Sequence, residues 1–264
     1  MTALDYRHAK VQRLRRLVAR RSARDAEGVV VVEGAKVLSE ALAAGAVVES
    51  VFLAPGVDED AAVADAFARG ARVHQLAAGV IERVADTVTP QPVIGVVRLP
   101  EQTIDDLPAG SVVVVCVDVR DPGNAGAVLR SAEASGAGGV VCCDGTVDVR
   151  NPKCVRASAG ALFHLPVVRG GDPAMVLDEL GKRGWTRLGA AAHAGAAYTD
   201  ADLSGAVALV LGNEAQGLPD GAAGHLDGFV TIPMAGRAES LNVGMAASVL
   251  CFEAARQRRA RGAR

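Results

Sequence analysis

The sequence predicts an α/β fold made of two α/β halves, with a parallel sheet in the second half. Short apolar runs alternate with segments of helical periodicity along the whole chain, which is typical of strands connected by helices. In the second half, SVVVVCVDV is apolar almost throughout. This is typical of a strand in a parallel sheet that is buried on both faces. With 264 residues, 50% of them hydrophobic, the chain is long enough to form two cores.

The first half, residues 1–100, is predicted to be a small α/β domain. Apolar residues recur at helical spacing from Val11 to Val18 within a basic segment, which indicates an amphipathic N-terminal helix. The elements predicted after it are strand GVVVVEG, helix AKVLSEALAAGA, strand VESVFLAP, helix DEDAAVADAFARGA, strand RVHQL, helix AAGVIERVADT and strand PVIGVVRLP. Residues 101–110, EQTIDDLPAG, lack apolar periodicity and are predicted to be a linker.

The second half, residues 111–264, continues the alternation and ends in a long helix. Its predicted elements are strand SVVVVCVDV, helix NAGAVLRSAEASGA, strand GGVVCCDG, helix NPKCVRASAGAL, strand HLPVV, helix DPAMVLDELGKRG, strands TRLGAAA, AVALVLG and GFVTIPM, and the C-terminal helix. Three of the strand ends lead into loops rich in Gly, Asn and Pro. Ligands of open α/β sheets bind outside the carboxyl ends of the strands, so we expect these loops to meet at one site.

Each of the three loops carries polar residues that a plain turn does not need. The loops are DVRDPGNAGAVLRSA, VALVLGNEAQGLP and IPMAGRAESLNVGMA, and their polar candidates are Asn124, Arg130, Glu214, Ser240 and Asn242. Asn124 and Ser240 have an alternative role, because either residue type can cap the helix that follows. Apolar neighbours such as Leu211 and Ile232 would complete a pocket for a flat ring and its ribose. The glycine spacing does not match the dinucleotide-binding fingerprint, which disfavours an NAD-dependent oxidoreductase.

Composition excludes several classes of protein. Aromatic residues make up 3% of the chain, too few for a ladder of rings that binds single-stranded nucleic acid. The five cysteines lie mostly in apolar runs without CxxC or His clustering, so we expect buried, reduced thiols and no metal site. The N-terminus has no apolar signal segment and no apolar run is long enough to span a bilayer, so we expect a cytoplasmic protein without a membrane partner.

Charge is unevenly distributed, although the net charge is only −2. Residues 1–24 contain eight Lys or Arg and one acid, Asp5. A basic face on a nearly neutral body is typical of a protein that binds a polyanion at one place, and a solvated helix face is the alternative. The residues predicted to bind the polyanion are Arg7, Lys10, Arg13, Arg16, Arg20 and Arg21.

Taken together, the three loops resemble the signature motifs of the SpoU (TrmH-type) RNA ribose methyltransferases of the knotted SPOUT class. DPGNAGAVLRSA is similar to the first motif, LVLGNEAQGL to the second and IPMAGRAESLNVGMA to the third. They occur in the family's order and spacing over residues 111–258, which is far more specific than any one motif. The first hundred residues also resemble the ribosomal-protein-like RNA-binding domain that often precedes this catalytic domain.

The resemblance implies a fold, a cofactor and partners. The C-terminal segment would form a deep trefoil knot, with S-adenosylmethionine bound in a bent conformation against it. The enzyme would be a homodimer with its active site at or across the interface. Its reaction would be methyl transfer to a ribose 2′-OH of structured RNA, with 23S-type ribosomal RNA favoured over transfer RNA because of the extra N-terminal domain. A non-catalytic RNA-binding assembly factor that retains the fold is the remaining alternative.

The resemblance also assigns roles to residues. The family's catalytic positions correspond to Asn124, Arg130, Glu214, Ser240 and Asn242, and the basic N-terminal residues would contact RNA. The implied cofactor-binding residues are Leu211, Gly212, Asn213, Gly217, Ile232, Pro233, Met234, Ser240, Leu241 and Asn242. This chain departs from the family pattern at Ala215, where Gly is frequent, and at Gly244, where a small hydroxyl residue is frequent.

Overall fold

The computed structural model describes residues 3–57 and 60–262. The chain divides into two compact units, each with its own sheet. Unit 1 comprises Met1–Pro100 and Asp148–Phe163, and unit 2 comprises Glu101–Val147 and His164–Arg264. The predicted domain division at residues 101–110 stays a prediction. The structural units differ from it in two respects, because residues 101–110 fall within unit 2 and residues 148–163 pack with the N-terminal unit.

Helices and strands alternate along the described chain, as the sequence predicted. The helices are α1 Ala9–Ala19, α2 Arg21–Glu27, α3 Ala35–Ala43, α4 Ala61–Ala68, α5 Ile81–Val84, α6 Pro122–Ser135, α7 Pro152–Ser158, α8 Pro173–Lys182, α9 Asp220–Ala223 and α10 Val243–Ala260. The strands are β1 Val29–Glu33, β2 Val48–Leu53, β3 Arg72–Gln75, β4 Val93–Arg98, β5 Val112–Cys116, β6 Gly139–Cys142, β7 Val167–Arg169, β8 Thr186–Ala190, β9 Ala196–Ala197, β10 Val207–Leu211 and β11 Gly228–Thr231.

Unit 1 is a four-stranded sheet in the order β1-β4-β2-β3, covered by helices. The N-terminal helix is amphipathic as predicted, since Val11, Leu14 and Leu17 of α1 are buried in the same core as the β1 side chains. The helix predicted over residues 77–87 is too long. Only the single turn α5 forms, because Ala85 already has extended backbone angles and the segment after it contains two prolines.

Residues 148–163 join unit 1 through buried charged side chains. Arg24 donates to the Asp148 carboxylate at 2.8 Å, and both side chains are about 95% buried. Arg24 also donates to the carbonyl oxygen of Leu17 at 2.8 Å, and Arg150 donates to that of Leu99 at the same distance. The contacts of Arg24 with Asp148 and of Arg150 with Leu99 join residues more than fifty positions apart, so helical or strand periodicity carries no signal for them.

Unit 2 contains a seven-stranded sheet in the order β7-β6-β5-β10-β8-β11-β9. All of its paired strands are parallel, which confirms the predicted parallel sheet. The two central strands, β5 and β10, are buried along their full length, as their apolar sequences predict. Helices α6 and α10 pack against each other, and the hydroxyl oxygens of Ser131 and Ser248 lie 2.7 Å apart between them.

The five cysteines are buried thiols outside any disulfide, as predicted. Burial raises the pKa of the Cys143 thiol to about 12, so that side chain is protonated and unreactive near neutral pH. None of the described helices is both long and apolar enough to cross a bilayer. Within the described ranges, no cluster of three or more His, Cys, Asp or Glu side chains could hold a metal ion.

Candidate cofactor and active site in unit 2

The parallel sheet of unit 2 brings the three predicted loops to one edge. Leu211 at the end of β10 is paired with Cys116 at the end of β5, and the pairing continues as the Val117 amide donates to the Leu211 carbonyl at 2.8 Å. The loops that follow these two strands therefore start side by side. The third loop follows β11, which is separated from β10 only by β8. Parallel strands end at the same edge of a sheet, so all three loops are available to one site.

A chain of hydrogen bonds connects the three loops. Asn124 Nδ2 donates to Glu214 Oε1 at 2.6 Å, and Asn242 Nδ2 donates to Asn124 Oδ1 at 2.9 Å. The partners are 90 and 118 residues apart in sequence. We refer to these three side chains as the Asn124–Glu214–Asn242 chain. It aligns the start of α6, the loop after β10 and the start of α10, and it includes three of the predicted catalytic residues.

The structure decides between capping and site roles for two of the candidates. Asp121, rather than Asn124, caps α6 by accepting from the Asn124 amide at 2.9 Å. Asn242, rather than Ser240, caps α10, since its Oδ1 accepts from the Gly244 amide at 2.9 Å. The capping alternative is therefore wrong for Asn124 and Ser240. Asn124 is left with its whole side chain in the Asn124–Glu214–Asn242 chain, and Ser240 lines a cavity.

This cavity has a volume of about 470 Å³ and lies beside the three loops. Its walls include the predicted residues Leu211, Gly212, Asn213, Glu214, Gly217, Ile232, Met234, Ser240 and Leu241. Pro233 and Asn242 were also predicted to bind cofactor, but neither lines the cavity. The walls are mainly apolar side chains and backbone, with a few polar groups, which suits a small organic ligand.

Two glycines allow the loop after β10 to fold tightly. A Cβ atom on Gly212 would lie 2.4 Å from the carbonyl carbon of Gly217, and Gly217 itself has a φ of +68°. Asn213 then closes the loop, because its Oδ1 accepts from the amides of Ala215 and Gln216 and its Nδ2 donates to the Asp118 carbonyl at 3.0 Å. The side chain of Asn213 thus shapes the cavity wall and links it to the loop after β5.

The cavity also has walls that the sequence analysis missed. The loop after β8 contributes Ala191, Ala192 and His193, and the third loop contributes Glu239. The sequence LGAAAHAG follows the same pattern as the other loops, small residues directly after a strand, but it lacks the Asn and Pro that drew attention to them. The adjacency of β8 to β10 and β11 could have identified it, and that adjacency is a property of the folded sheet.

Arg130 is placed differently from the other catalytic candidates. It is exposed on α6, does not line the cavity, and has no hydrogen-bond or ion-pair partner in residues 3–57 and 60–262. Arg130 lies six positions after Asn124 along the helix, and this offset rotates it well away from the Asn124 side chain. Its guanidinium is therefore available to a partner from outside this chain.

The glycine at position 244, one of the departures from the family pattern, is explained by the close packing of α10 against α6. A Cβ atom there would lie 2.8 Å from the Cβ atom of Ala127 on α6. Real Cβ atoms essentially never approach that closely, so any side chain would push α10 away from α6. Ala215, the other departure, is exposed in the loop after β10.

The predicted RNA-binding residues of unit 1 have different environments. Arg13 is bound by two carboxylates, Glu27 at 2.6 Å and Glu49 at 2.8 Å. Arg21 forms a longer pair with Asp25 at 3.4 Å. Those with exposed side chains and no carboxylate partner in the described part of the chain are Arg7, Lys10, Arg16 and Arg20.

Comparisons with known proteins agree with the geometry. Residues 111–252 match the model of the SpoU rRNA Methylase family, and residues 8–95 match an MRM3-like substrate binding domain. The 23S rRNA (guanosine(2553)-2′-O)-methyltransferase RlmP of Bacillus subtilis is 34% identical over 84% of this chain and 86% of its own length. The 23S rRNA (uridine(2479)-2′-O)-methyltransferase of Streptomyces viridochromogenes is 34% identical over 96% of this chain and 91% of its own length.

A solved structure extends the similarity to the whole fold. The crystal structure of the SpoU methyltransferase AviRb from Streptomyces viridochromogenes, in complex with the cofactor AdoMet, has a TM-score of 0.85 to this chain at 32% identity. The similarity covers 96% of this chain and 98% of that one. The family model spans more than half of the present sequence; its second and third motifs line the cavity, and its first motif reaches them through the hydrogen bonds of Asn124. This chain therefore belongs to the SpoU rRNA methylase family.

Proposed function

We propose that this protein transfers a methyl group from S-adenosylmethionine to a ribose 2′-OH of ribosomal RNA, in a 23S-type molecule. The observation that carries the proposal is the Asn124–Glu214–Asn242 chain, in which Glu214 lines the 470 Å³ cavity and binds Asn124 beside it. Relatives that are similar over both units methylate 23S rRNA according to their names, which favours rRNA over tRNA. Membership in the family and the complete motif set disfavour a non-catalytic assembly factor.

The residues around the cavity fit the cofactor. Apolar walls at Leu211, Ile232 and Leu241 suit an adenine ring, and the close backbone at Gly212 presents amide and carbonyl groups at the cavity edge. Ser240 lines the cavity with an exposed hydroxyl that caps no helix. When bound, S-adenosylmethionine supplies a methyl group on a positively charged sulfur, and the carbon–sulfur bond breaks as the ribose oxygen bonds to that carbon.

The protein's contribution to this reaction is alignment and charge. The Asn124–Glu214–Asn242 chain holds three polar side chains together, with Glu214 in the cavity wall, and these groups would orient a ribose hydroxyl toward a cofactor bound in the cavity. The 2′-OH proton must leave as the oxygen reacts. Arg130 has two possible roles in this step: it accepts that proton, or it binds the adjacent phosphate and orients the hydroxyl.

We further propose that the enzyme is a homodimer in which Arg130 serves the partner's cavity. Arg130 is exposed and lies outside the cavity of its own chain. The neighbouring helix α10 exposes two large apolar side chains seven residues apart, Met245 with 62% and Phe252 with 47% exposure. Positions seven residues apart lie on one helix face, and an apolar face of this kind is suited to burial against a second copy.

Two further expectations from the family belong to the same proposal. The C-terminal segment would pass through a loop of unit 2 to form the trefoil knot, which would explain how residues of β10, β11 and α10 all line one cavity. The protein would act in the cytoplasm, where ribosomal RNA is modified before or during assembly.

The test combines binding and product mapping. Calorimetry should detect binding of S-adenosylmethionine, and labelled methyl groups should transfer to 23S rRNA transcript. Mapping of 2′-O-methyl positions in RNA from a deletion strain would then identify the nucleotide. Cofactor binding without transfer to any RNA would favour the assembly factor, and absence of cofactor binding would refute the proposal. Methylation of tRNA in place of rRNA would correct the substrate.

A further inference from the structure

The face of unit 1 formed by the chain start, α1 and β3 gathers positive side chains that form no ion pair with an acid among the described residues. We define the Tyr6–His74 patch as Tyr6, His8, Lys10, Arg72, His74 and Arg83. Lys10 Nζ lies 3.3 Å from His74 Nε2, and His74 packs its ring against that of Phe52 with 5.3 Å between centroids. Arg72 lies two residues before His74 on β3, hence on the same face of the strand.

An aromatic ring holds further cations on this surface. The guanidinium carbon of Arg83 lies 3.6 Å from the centroid of the Tyr6 ring, and that of Arg15 lies 4.8 Å from it. A cation held by a ring keeps its full charge, whereas a carboxylate partner would cancel it. Tyr6 therefore orders two arginine side chains without reducing the positive potential of the surface.

The patch differs from the other basic positions of unit 1. Arg13, Arg24 and Arg98 each have a carboxylate within 2.8 Å. Within residues 3–57 and 60–262, by contrast, no ion pair joins a carboxylate to Lys10, Arg72 or Arg83. Two acids are adjacent to the patch in sequence, Asp5 before Tyr6 and Glu82 before Arg83. One oxygen of Asp5 already accepts from the backbone amides of Arg7 and His8, and neither acid forms an ion pair with a patch residue in the described part of the chain.

The positive charges of the patch act on His74, which is half-buried among them. Burial, and after it the charges of Lys10, His8 and Arg72, hold the pKa of the His74 imidazole below its ordinary value. These cations come from the chain start, from α1 and from β3 itself, and the neighbouring strand β2 contributes the uncharged Phe52. Cations held close together repel one another, so an anion bound among them lowers the electrostatic energy of the arrangement.

We infer that the Tyr6–His74 patch is a binding site for RNA backbone phosphate, through which unit 1 holds the substrate. The inference rests on the proposed function, because it names where that function's RNA is bound. Lys10, Arg72 and Arg83 would neutralise phosphates, and His74 would donate once protonated. Arg13, Arg21 and Arg24, although adjacent in sequence, are committed to carboxylates and take no part.

The experiment measures RNA affinity of the full chain as a function of salt, with a labelled RNA hairpin as the probe. Each phosphate contact that is lost should lower the slope of log affinity against log salt by about 0.7 to 0.9. Lys10→Ala combined with Arg72→Ala should therefore lower the slope by about 1.5 and weaken binding at least about tenfold at low salt. Arg98→Ala is the matched control, because it also removes one positive charge at the substituted position from an exposed arginine. Glu49, the partner of Arg98, remains paired with Arg13 in that variant.

A second measurement follows His74 directly. Phosphate binding should raise the pKa of its imidazole, which NMR titration with and without the hairpin would show, and RNA affinity should rise as pH falls below 7. His74→Gln should remove most of that pH dependence. Equal salt slopes in the double variant and the wild type, or a His74 pKa unmoved by RNA, would overturn the inference. An equal loss of salt slope in Arg98→Ala would also overturn the inference, because it would indicate that RNA responds to the overall positive charge of the surface and not to this patch.

The inference and the proposed function can fail separately. If the wild type binds the hairpin but transfers no methyl group to any RNA, the function is refuted and the slopes still report on the patch. If the wild type methylates 23S rRNA and the double variant keeps its slope, the patch is refuted and the function stands. Thermal unfolding of each variant checks that the exposed substitutions leave the fold intact.

Discussion

In the polar loops of unit 2, residues far apart in sequence share a role, whereas in the basic segment of unit 1, residues close in sequence have different roles. In unit 2, Asn124 lies 90 residues from Glu214 and 118 residues from Asn242 in sequence, and the three form one hydrogen-bonded chain. In unit 1, Arg13, Arg16 and Arg24 lie within twelve positions and have three different environments: paired at the surface, exposed without a described partner, and buried. Residues of the same type that are close in sequence therefore need not share a role, and residues that are far apart in sequence can share one.

The difference arises from how each set is positioned. Strand ends of a parallel sheet place their loops at one edge whatever the length of chain between them, so residues directly after strands converge. Residues along a helix point in directions that change by about 100° per position, so neighbours face solvent, a partner helix or a buried carboxylate. Counting charges along α1 and α2 therefore overestimates the surface available to RNA.

The largest expected effect tests the loop side of this comparison. Arg130→Ala should lower turnover on RNA by about 10²- to 10⁴-fold, because it removes either a proton acceptor or the group that orients the hydroxyl. Arg130→Lys separates the roles: a shifted pH profile with retained turnover indicates the base, and weaker RNA binding indicates phosphate orientation. Arg183→Ala, which removes an exposed arginine held by Glu179 at 2.7 Å, should keep wild-type turnover. Full activity in Arg130→Ala would remove Arg130 from the site.

The next effect tests the helical side. Arg24→Ala should lower the free energy of unfolding by about 3 kcal/mol, since it leaves the 95% buried Asp148 carboxylate without its guanidinium partner. Asp148 keeps the Arg150 amide as a donor, which places the effect at the lower end for buried pairs. Arg21→Ala removes an exposed pair with Asp25 and should cost about 0.5 kcal/mol or less. Urea unfolding measures both, and equal losses would mean that burial does not distinguish the two arginines.

The smallest effect concerns the support beneath the loops. Gly244→Ala should destabilise unit 2 by about 1 to 2 kcal/mol, because its Cβ would lie 2.8 Å from that of Ala127 and force α6 and α10 apart. The shift would also strain the bond from Asn242 to Asn124, so affinity for S-adenosylmethionine should fall with stability. Gly236→Ala, where the added atom meets nothing within 4 Å, is the control for both readouts. If Gly244→Ala left the free energy of unfolding and the affinity for S-adenosylmethionine unchanged, α6 and α10 would be able to accommodate the added methyl group without strain.

Much of the fold and part of the site could be predicted from residue patterns. Continuous apolar runs predicted β5 and β10, and the loops after strands predicted that Glu214, Ser240 and Leu241 would border one cavity. Capping roles were less predictable, because Asp121 and Asn124 are both good cap residues and only the backbone geometry selects one. The wall at His193 was missed because nothing in its sequence shows which strands flank β8.

By itself the sequence determined the element order, the parallel sheet of unit 2, the polar candidates and the family, since periodicity and ordered motifs are local properties of the chain. Tertiary structure alone decided that residues 148–163 join unit 1 and that Asn124 bridges Glu214 and Asn242. It also decided that Arg13 and Arg24 have carboxylate partners, whereas Lys10 and Arg72 have none among the described residues. Partners of charged and amide groups are chosen by proximity in space. Proximity of residues far apart in the chain follows from how strands order and helices pack, which no short stretch of sequence encodes.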